Sequence, residues 1–593
     1  MPTRGRARPR LVVAALLFMA LAYAPPAYAL LPGNEPLRTN GHGTPVATPE
    51  YGEAGMVVAA HPAAAAAGRQ ILEQGGNAVD ASVAVGFALA VVYPRAGNLG
   101  GGGFLVLRQP DGTATTIDHR ETAPAAATPD VYLDAQGNAV PNRSRTGHLA
   151  SGVPGTVDGL LHALDEYGTL SREVVMAPAI ELAINGFEVL PTQAEALNSA
   201  QDDFNQFAST RRYFGDESDH DGRYEPGQML RQPDLANVLI RIRENGRAGF
   251  YQGPTANLIV SEMQRGDGLI THEDLASYTA VEREPVTSTY RDHRVISMGP
   301  PSSGGVALAQ LLNAAETYDV AGHGLNASAT IHHLGEAMRR VFADRAKWMG
   351  DTDFVDVPVD ALMDPAYMRT RMADVQPDRI TPTDSVAHGT PPGAESMETT
   401  HYSVVDADGQ AVSVTTTINS SYGSKVVVDG AGFFLNNEMN DFSLKPGVPN
   451  QFGLVGSERN AVAPQKRMLS SMTPTIVEDP DGRLHLVIGS PGGPTIITTV
   501  FQVIMNVIDH DMDIEQAITA PRFHHQWKPN TMWLERHGFP EDVQTNLEDR
   551  GWPLNVRPRW GRAHGVHVHY DSDGTATYYG SADPRREGVA VGL

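Results

Sequence analysis

The sequence predicts an α+β fold whose helices and strands pack on one shared core. Its 593 residues, 41% hydrophobic and 19% charged, are enough for a large core and are typical of a globular chain. Helical patterns such as VDGLLHALDEYG dominate from about residue 150 to 380, and alternating strand patterns such as RLHLVIGSPGG dominate after residue 399. A helix-rich part followed by a strand-rich part favours layers on a common core over independent modules.

The first 29 residues differ in composition from the rest of the chain. Four arginines precede an apolar run at Leu11–Ala24, and small residues at Ala27 and Ala29 fit a cleavage site. This pattern predicts a secretory signal peptide over residues 1–29. The alternative, an uncleaved membrane anchor, fits less well because the apolar run is short for a bilayer and no later stretch reads as a span. We therefore expect export across the inner membrane to the periplasm.

Charge and cysteine content exclude several classes of function. Removing the four arginines of residues 1–29 takes the net charge from −24 to −28, which argues against nucleic acid and anionic membrane surfaces as partners. The chain has no cysteine, so disulfides, thiolate nucleophiles and cysteine-based metal sites are excluded.

Residues 57–92 predict a helical hairpin, with a turn at Gly75-Gly76-Asn77 between two apolar helices. The glycine-rich run GNLGGGGFLVL follows and leads into a strand. A dinucleotide fingerprint requires a strand, then glycines, then a helix, and here the order is reversed. The glycines therefore indicate close backbone packing and not a nucleotide site.

The segment from Thr381 to Glu398 contains three prolines and few large apolar residues, which predicts a loop. A strand-like alternation begins at Thr399, directly after this loop. A threonine hydroxyl is a poor nucleophile near neutral pH, but a free α-amine, with a pKa of roughly 7.7–8.0, is suited to act as its base. Thr399 acquires that amine only if the bond between Glu398 and Thr399 is cut, for example by attack of the Thr399 hydroxyl on the Glu398 carbonyl. The alternative is an ordinary threonine buried in a strand.

The stretch after Glu398 has the pattern of a hairpin with a turn at Asp408-Gly409. A three-residue loop would place Thr399 opposite Thr417, on one face together with Asn419. A two-residue loop would move Thr417 to the other face of the sheet. Both registers are compatible with the sequence.

Several segments of the chain resemble gamma-glutamyltransferases, which are also called glutathione hydrolases. The small-subunit motifs of that family are matched by TTHYSVVDADGQAVSVTTTINSSYG, FFLNNEMNDFS, RMLSSMTPTIV and GSPGG, and APRFHHQW follows downstream. Upstream, GRQILEQGGNAVDA, GNLGGGGFLVL and DHRETAPAAATPDVYL match the large subunit. The resemblance covers nearly the whole chain after residue 29, with the motifs in the same order.

The resemblance implies a four-layer αββα sandwich of the N-terminal nucleophile hydrolase type. It also implies autocleavage into a large subunit, residues 30–398, and a small subunit, residues 399–593, which stay together as a heterodimer. Thr399 aligns with the family nucleophile and Thr417 with the threonine that positions it. Gly492 and Gly493 align with the backbone donors of the oxyanion hole, where two N–H groups stabilise a developing negative charge.

Recognition of a glutamyl head is implied in the same way. Arg120 matches the arginine that binds the substrate α-carboxylate, for which a planar guanidinium is suited. Ser470 and Ser471 would donate hydroxyl hydrogen bonds nearby. The residues that match acceptors for the substrate ammonium are Asn419, Glu438 and Asp441. Related acylases that take glutaryl side chains have no substrate ammonium, so a carboxylate at Asp441 favours glutamyl substrates.

The segment LKPGVPNQFGLVG resembles the lid loop that covers the glutamyl pocket in many bacterial members of the family. Phe452 stands where a tyrosine is often found in that lid. We expect looser gating at this position, because the hydrogen bond of a tyrosine hydroxyl is absent.

Other motifs have plainer interpretations. His524 and His525 belong to a family motif near the core, and we expect them to pack there without binding metal. His567 and His569, with His564 nearby, alternate on a strand and predict a solvated face in preference to a zinc site, because a clear further ligand is missing. Ser302-Ser303 lacks the G-x-S-x-G pattern of a serine hydrolase and predicts the cap of the following helix. We expect no metal site.

The resemblance thus implies an exported enzyme that cleaves glutathione and similar gamma-glutamyl amides through an ester on Thr399. The glutamyl group would pass to water, an amino acid or a dipeptide, with no cofactor. One alternative is a sister acylase or a polyglutamate-cleaving transpeptidase on the same fold. The other is a secreted binding protein that keeps the fold but never matures, which intact nucleophile and oxyanion motifs disfavour.

Overall fold

Two antiparallel sheets stacked on each other form the centre of the fold, and helices cover their outer faces. The computed structural model describes residues 48–386, 399–445, 447–448 and 450–593. Pro49–Leu593 form one compact unit. The predicted signal peptide and residues 387–398 of the predicted loop lie outside the described residues.

Each of the two main sheets has seven strands. The first sheet consists, in spatial order, of Val589–Gly592, Gly55–Ala59, Thr400–Asp406, Ala411–Thr417, Gly102–Arg108, Ala114–His119 and Val281–Arg283. The second sheet consists of Glu50–Gly52, Ala576–Ala582, His564–Tyr570, Leu484–Gly489, Thr475–Glu478, His293–Ser297 and Val286–Tyr290. Two small sheets are formed by Phe523–His524, Met532–Glu535 and Leu554–Arg557, and by Phe187–Glu188 and Met229–Leu230.

The helices lie both before and after residue 399. The longer ones are Pro62–Glu73, Ala78–Val92, Thr156–Tyr167, Arg172–Asn185, Pro191–Ser199, Pro233–Asn245, Gly253–Arg265, Gly304–Glu316, Ser328–Trp348, Pro365–Met372, Thr495–His510 and Glu541–Asp549. The shorter ones are Gln201–Phe204, Ala208–Tyr213, Ala248–Tyr251, His272–Ser277, Val320–His323, Val359–Met363 and Ile514–Thr519. None of these helices, in the described part of the chain, combines the length and apolar character needed to cross a membrane.

Successive side chains of the strand Thr400–Asp406 point alternately to the covering helices and to the second sheet, which explains why the two sheets stack. Tyr402 and Val404 point into a core built with the helices Pro62–Glu73 and Ala78–Val92. The intervening Ser403 points to the second sheet, where its hydroxyl donates to the His564 carbonyl at 3.2 Å. A strand buried on both faces needs a cover on each side, and here these covers are helices and a second sheet. The apolar residues of the second sheet pack in turn with the helices Gly304–Glu316 and Thr495–His510. The predicted αββα sandwich is confirmed.

The predicted helical hairpin is present, with one difference at its start. Its helices are Pro62–Glu73 and Ala78–Val92, and the second begins with a capping box in which Asn77 and Asp80 bond reciprocally at 2.9 Å. The first residues of the predicted hairpin instead belong to the strand Gly55–Ala59. The glycine run then brings backbones together as expected, since a Cβ at Gly101 would lie 2.1 Å from the Thr417 carbonyl oxygen.

Two serines at the start of the helix Gly304–Glu316 act differently from each other. Ser303 occupies the N-cap position, but its hydroxyl donates to the Ser470 carbonyl at 2.6 Å instead of capping the helix. The Ser302 hydroxyl accepts the Gly304 N–H at 3.1 Å. Ser303 is therefore at the predicted cap position, but its side chain does not cap the helix, and Ser302 accepts one N–H of the first turn from the position before the N-cap.

The histidines of the strand His564–Tyr570 correct one prediction. His564 and His567 are buried, and only His569 is exposed, so the predicted solvated face is wrong. His567 is covered because its ring packs against His485 of the neighbouring strand at 4.6 Å between ring centroids. His524 and His525 are fully buried, as expected. Within the described residues, no group of three or more histidine, aspartate or glutamate side chains is arranged to hold a metal ion.

A buried histidine fills the space between the two sheets near Thr399. The His401 ring nitrogens lie 2.9 Å from the Thr415 hydroxyl and 3.0 Å from the Ser403 hydroxyl. Burial lowers the pKa of His401 well below its ordinary value, so the ring is neutral. Gly489 of the second sheet leaves room for this ring, because a Cβ there would lie 2.3 Å from the imidazole Cε1.

We expect Gly489→Ala to lower the free energy of unfolding by about 1–3 kcal/mol, because the added methyl group overpacks a rigid interior. Denaturant unfolding of the wild type and the variant measures this difference. His401→Ala serves as the matched partner, since the double variant has room for the methyl group. Additive effects of the two substitutions would contradict the proposed clash.

Candidate active site

A small cavity of about 30 Å³ lies where the hairpin of Thr399 meets loops that follow the strands of both sheets. All the predicted site residues except Gly492 line it: Thr399, Thr417, Gly493, Arg120, Asn419, Glu438, Asp441, Ser470 and Ser471. The structure thus brings together residues more than 370 positions apart in the sequence. It adds further wall residues, among them Arg345, Asn450 and Phe452.

The register of the hairpin is the first of the two that the sequence allowed. Thr400 pairs with Thr416 and Val405 with Ala411, which corresponds to a three-residue loop. Thr399 and Thr417, one position beyond the first pair, therefore share a face that is turned toward the second sheet. The Asn419 N–H donates to the Thr417 hydroxyl oxygen at 2.7 Å, and Thr399 is 5% exposed. The two hydroxyl-bearing residues are held by the core and not by a loose terminus.

The glycine pair after the strand Leu484–Gly489 has the geometry of an anion-binding turn. Gly492 and Gly493 have φ of 139° and 54°, values that favour glycine. Their carbonyls accept from the N–H groups of Thr495 and Ile496, both at 3.1 Å, in the first turn of the following helix. Neither glycine N–H donates a hydrogen bond to a residue within the described ranges. Both N–H groups are therefore available, with Gly493 on the cavity wall and Gly492 next to it.

Arg120 is the centre of a buried charge cluster. Its guanidinium donates to Glu438 through a very short contact and to Asp441 at 2.7 Å, and the Glu121 carboxylate lies 3.6 Å away. Burial alone would lower the pKa of Arg120, but the carboxylates of Glu438, Glu121 and Asp441 outweigh it and hold this pKa above its ordinary value. The arginine is fully charged and is shared among several carboxyl groups.

The pKa values of the carboxyl groups around Arg120 are raised, because these buried groups have few positive charges near them. Burial raises the pKa of Glu438 well above its ordinary value, and the neighbouring Glu121 raises it further against the opposing effect of Arg120. Burial likewise raises the pKa of Asp441 and, to about 8, that of Glu121. Neither carboxyl oxygen of Glu121, nor Oε2 of Glu438, has a hydrogen-bond partner among the described residues. Glu438, which lines the cavity, therefore has an oxygen that can accept a hydrogen bond from an additional cation.

Two amides keep Asp441 in place at the mouth of the cavity. The Asn419 and Asn450 side chains donate to its Oδ1 at 3.3 and 3.4 Å. Asn450 Oδ1 also accepts the backbone N–H groups of Phe452 and Leu454, at 2.9 and 3.2 Å. The segment of the predicted lid is thus tied to the carboxylate through Asn450. Phe452 is 4% exposed and packs on the cavity wall.

The hydroxyl groups of Ser470 and Ser471, on another part of the cavity wall, can each donate a hydrogen bond to a ligand. Ser470 Oγ accepts the Met472 N–H at 3.0 Å, and Ser471 Oγ accepts from the Arg345 guanidinium at 3.0 Å. Because a hydroxyl that accepts still has its own proton, both serines retain a donor for a ligand in the cavity. Burial lowers the pKa of Arg345 to about 10, which leaves it charged at neutral pH.

The profile described as Gamma-glutamyltranspeptidase matches residues 64–593. The chain belongs to this family. The Glutathione hydrolase proenzyme of Escherichia coli strain K12 is 44% identical to it over 97% of both chains. The protein of the same name from Pseudomonas aeruginosa is 45% identical, over 91% of this chain and 94% of its own. Among solved structures, the cephalosporin acylase from Bacillus halodurans matches with a TM-score of 0.81 at 27% identity, over 96% of this chain and 99% of its own.

Sequence reasoning missed two residues that line the cavity of this gamma-glutamyltranspeptidase family member, Arg345 and Asn450, and one that lies next to its arginine, Glu121. Arg345 lies in the helix Ser328–Trp348, whose several arginines give no sign of which one reaches the cavity. Glu121 directly follows Arg120 in the sequence, in the motif DHRETAP. Asn450 lies in the predicted lid segment, two residues before Phe452. Of the three, only Glu121 could have been proposed from the sequence, because a carboxyl group next to a site arginine is a candidate partner for its charge.

We expect Glu121→Gln to become more stable relative to the wild type as the pH rises from about 4.5 to about 8. With its pKa raised to about 8, folded Glu121 holds a proton that the unfolded chain has already lost in this range. The wild type therefore loses stability with rising pH, at up to about 1.4 kcal/mol per pH unit, and the neutral variant does not share this loss.

Thermal unfolding of both proteins at pH 5, 6, 7, 8 and 9 measures the difference. A constant difference between pH 5 and 8 would contradict a raised pKa at Glu121. Glu282→Gln, at an exposed carboxyl group outside the cavity, is the matched control.

Proposed function

We propose that Thr399, freed as the N-terminus of a small subunit, is the nucleophile of this enzyme. The chain is a gamma-glutamyltransferase of the glutathione hydrolase class, related to proenzymes. The observation that carries the assignment is the position of Thr399 on one wall of a cavity that also holds Arg120, Asp441 and Gly493. A nucleophile, a binding site for a zwitterion and free backbone N–H groups converge there.

Processing would divide the chain into residues 30–398 and 399–593. In the precursor, the Thr399 hydroxyl attacks the Glu398 carbonyl carbon, and the amide nitrogen takes up the proton as the C–N bond breaks. Water then hydrolyses the resulting ester, releasing the Glu398 carboxylate and regenerating the Thr399 hydroxyl beside a free amine. The two subunits would stay together because their strands alternate in the first sheet, where Gly55–Ala59 and Gly102–Arg108 flank Thr400–Asp406 and Ala411–Thr417.

The charge cluster supports recognition of a glutamyl head. Arg120 and the hydroxyls of Ser470 and Ser471 suit the α-carboxylate. The carboxylates of Glu438 and Asp441, together with the Asn419 amide oxygen, suit the ammonium. Arg120 pairs with these carboxylates directly, so a zwitterion would insert between them and give each charge a partner.

The chemical steps use few groups. The Thr399 α-amine takes the hydroxyl proton as Oγ attacks the γ-carbonyl, and the negative charge on oxygen is stabilised by the N–H groups of Gly492 and Gly493. The C–N bond then breaks, and the leaving amine takes the proton from the α-ammonium, which leaves a γ-glutamyl ester. Water, or the amine of an amino acid or dipeptide, attacks this ester and releases glutamate or a new γ-glutamyl amide. Thr417, whose hydroxyl accepts from Asn419, would keep Thr399 oriented.

The place of action would be the periplasm. The arginine-led apolar run at the start of the sequence supports export. The physiological acceptors would be amino acids and dipeptides, which supply the amine that the ester needs.

We expect purified wild-type protein to give two fragments by intact mass, the smaller beginning at Thr399, and Thr399→Ala to give one uncut chain. The alanine has no hydroxyl to attack the Glu398 carbonyl. Thr399→Ser is the matched control, since it retains a hydroxyl and should be cut. A single uncut wild-type chain would contradict the assignment and would favour the binding-protein alternative.

The alternative function, that of an acylase, is supported by the structural similarity to a cephalosporin acylase. Against it stands Asp441, which a glutaryl substrate would leave without an ammonium partner. We expect wild-type kcat/KM to be at least about 100-fold higher for γ-glutamyl-p-nitroanilide than for glutaryl-p-nitroanilide, because a buried polar site discriminates by up to about 10⁴–10⁵-fold against an analogue that leaves it unpaired.

Asp441→Asn should reduce that preference, because the ammonium loses its charged partner. Equal rates on the two anilides in the wild type would support the acylase reading. Steady-state release of p-nitroaniline measures both substrates in the same assay.

A further inference from the structure

Arg345 is a buried cation on the wall of the active-site cavity, and it makes no ion pair with a described residue. Its side chain comes from the helix Ser328–Trp348, and the residue is 5% exposed. The other buried arginines of the described ranges each have a carboxylate within 3.4 Å: Arg108, Arg120, Arg339, Arg340, Arg467 and Arg522. A buried charge that lacks a partner is destabilising, so Arg345 is a candidate partner for an anion that enters the cavity.

The guanidinium of Arg345 is held by serines at two of its three nitrogens. Nε donates to Ser303 Oγ at 2.8 Å. Nη2 donates to Ser471 Oγ at 3.0 Å and to the Ser470 carbonyl at 3.4 Å. Nη1 donates no hydrogen bond to a residue in the described part of the chain. The two N–H groups of Nη1 are therefore available, on a side chain that lines the cavity.

The bond from Arg345 fixes the direction of the Ser471 hydroxyl. Because Ser471 Oγ accepts from the guanidinium, its own proton points away from Arg345, and it donates to no residue of the described ranges. The Ser470 carbonyl is fixed as well, since it accepts the Ser303 N–H at 2.9 Å and the Ser303 hydroxyl at 2.6 Å. Arg345 thus joins this part of the cavity wall to the start of the helix Gly304–Glu316. Without the guanidinium, the Ser471 hydroxyl would be free to turn.

The two arginines of the cavity differ in how their charges are matched. Arg120 pairs with Glu438 and Asp441, the carboxyl groups that suit the substrate ammonium. The charge of Arg345 has no such counterpart among the described wall residues. A substrate α-carboxylate at Ser470 and Ser471 would bring a negative charge to the part of the wall where Arg345 lies. The charge pattern of the cavity therefore matches a head that carries both an ammonium and a carboxylate.

We propose that Arg345 is a specificity-determining residue that selects substrates with a free α-carboxylate. It orients the Ser471 hydroxyl toward that group and supplies a positive charge that no described carboxylate neutralises. This inference rests on the proposed function, which places the α-carboxylate at Ser470 and Ser471. A neutral α-carboxamide would gain much less from Arg345, because hydrogen bonds between charged groups are the stronger ones.

The test compares γ-glutamyl-p-nitroanilide with the same anilide in which the α-carboxylate is replaced by a carboxamide. The wild type should prefer the carboxylate, as the ratio of the two kcat/KM values. Arg345→Gln should reduce that preference at least about tenfold, which is the lower end of the effect of losing a hydrogen bond to a charged group. Arg345→Lys should reduce it by a smaller factor, because lysine keeps the charge but not the planar set of donors.

Arg371→Gln is the matched control. Arg371 pairs at 3.0 Å with Asp344, the neighbour of Arg345 on the same helix, and it lies outside the cavity. The control therefore disturbs the helix without changing the charge of the site, and its preference should equal that of the wild type. Both anilides are measured on one preparation of each protein, so the ratio does not depend on the fraction of folded and processed enzyme.

The outcomes separate this inference from the proposed function. A wild type that is inactive on the glutamyl anilide, or equally active on both anilides, would overturn the proposed recognition of a glutamyl head and this inference with it. A wild-type preference that Arg345→Gln leaves unchanged would overturn the inference alone, and so would an equal reduction in Arg371→Gln. If Arg345→Gln yields no processed enzyme, Arg345→Lys decides: a reduced preference supports the inference, and a preference equal to that of the wild type overturns it.

Discussion

The register of one hairpin governs the arrangement of the active site. Thr400–Asp406 and Ala411–Thr417 lie in the middle of the first sheet, with strands from the N-terminal part of the chain on both sides. The pairing of Thr400 with Thr416 puts Thr399 and Thr417 on the face toward the second sheet. A slip of one residue would turn one of them toward the helices instead. Both faces of these strands are buried, so such a slip would also place side chains of the wrong size in both cores. The packing of the strands, and not a flexible loop, therefore positions the threonines.

The pKa values of the carboxyl groups around Arg120 are raised for a common reason, which is that buried negative groups outnumber the cations near them. Glu121, Glu438 and Asp441 surround Arg120, and Arg345 is the other cation on the cavity wall. The pKa values of the three carboxyl groups are raised because burial without enough nearby cations favours protonation. A substrate ammonium would remove the same shortage, whereas a glutaryl head would leave it. Substrate preference and proton affinity are therefore two consequences of one arrangement.

The sequence predicts much of this site because its residues lie in short motifs with chemical meaning. Thr399, Arg120 and Gly493 could be located from those motifs, and the structure brings them to one cavity. The register could not be chosen, because a turn at Asp408-Gly409 is compatible with two loop lengths. Arg345 could not be found, because a helix with arginines on several faces does not reveal which one is buried against a ligand site. The burial of His567 could not be predicted for a related reason. Alternation on a strand shows which residues share a face, but His485, which covers the His567 ring, comes from another strand.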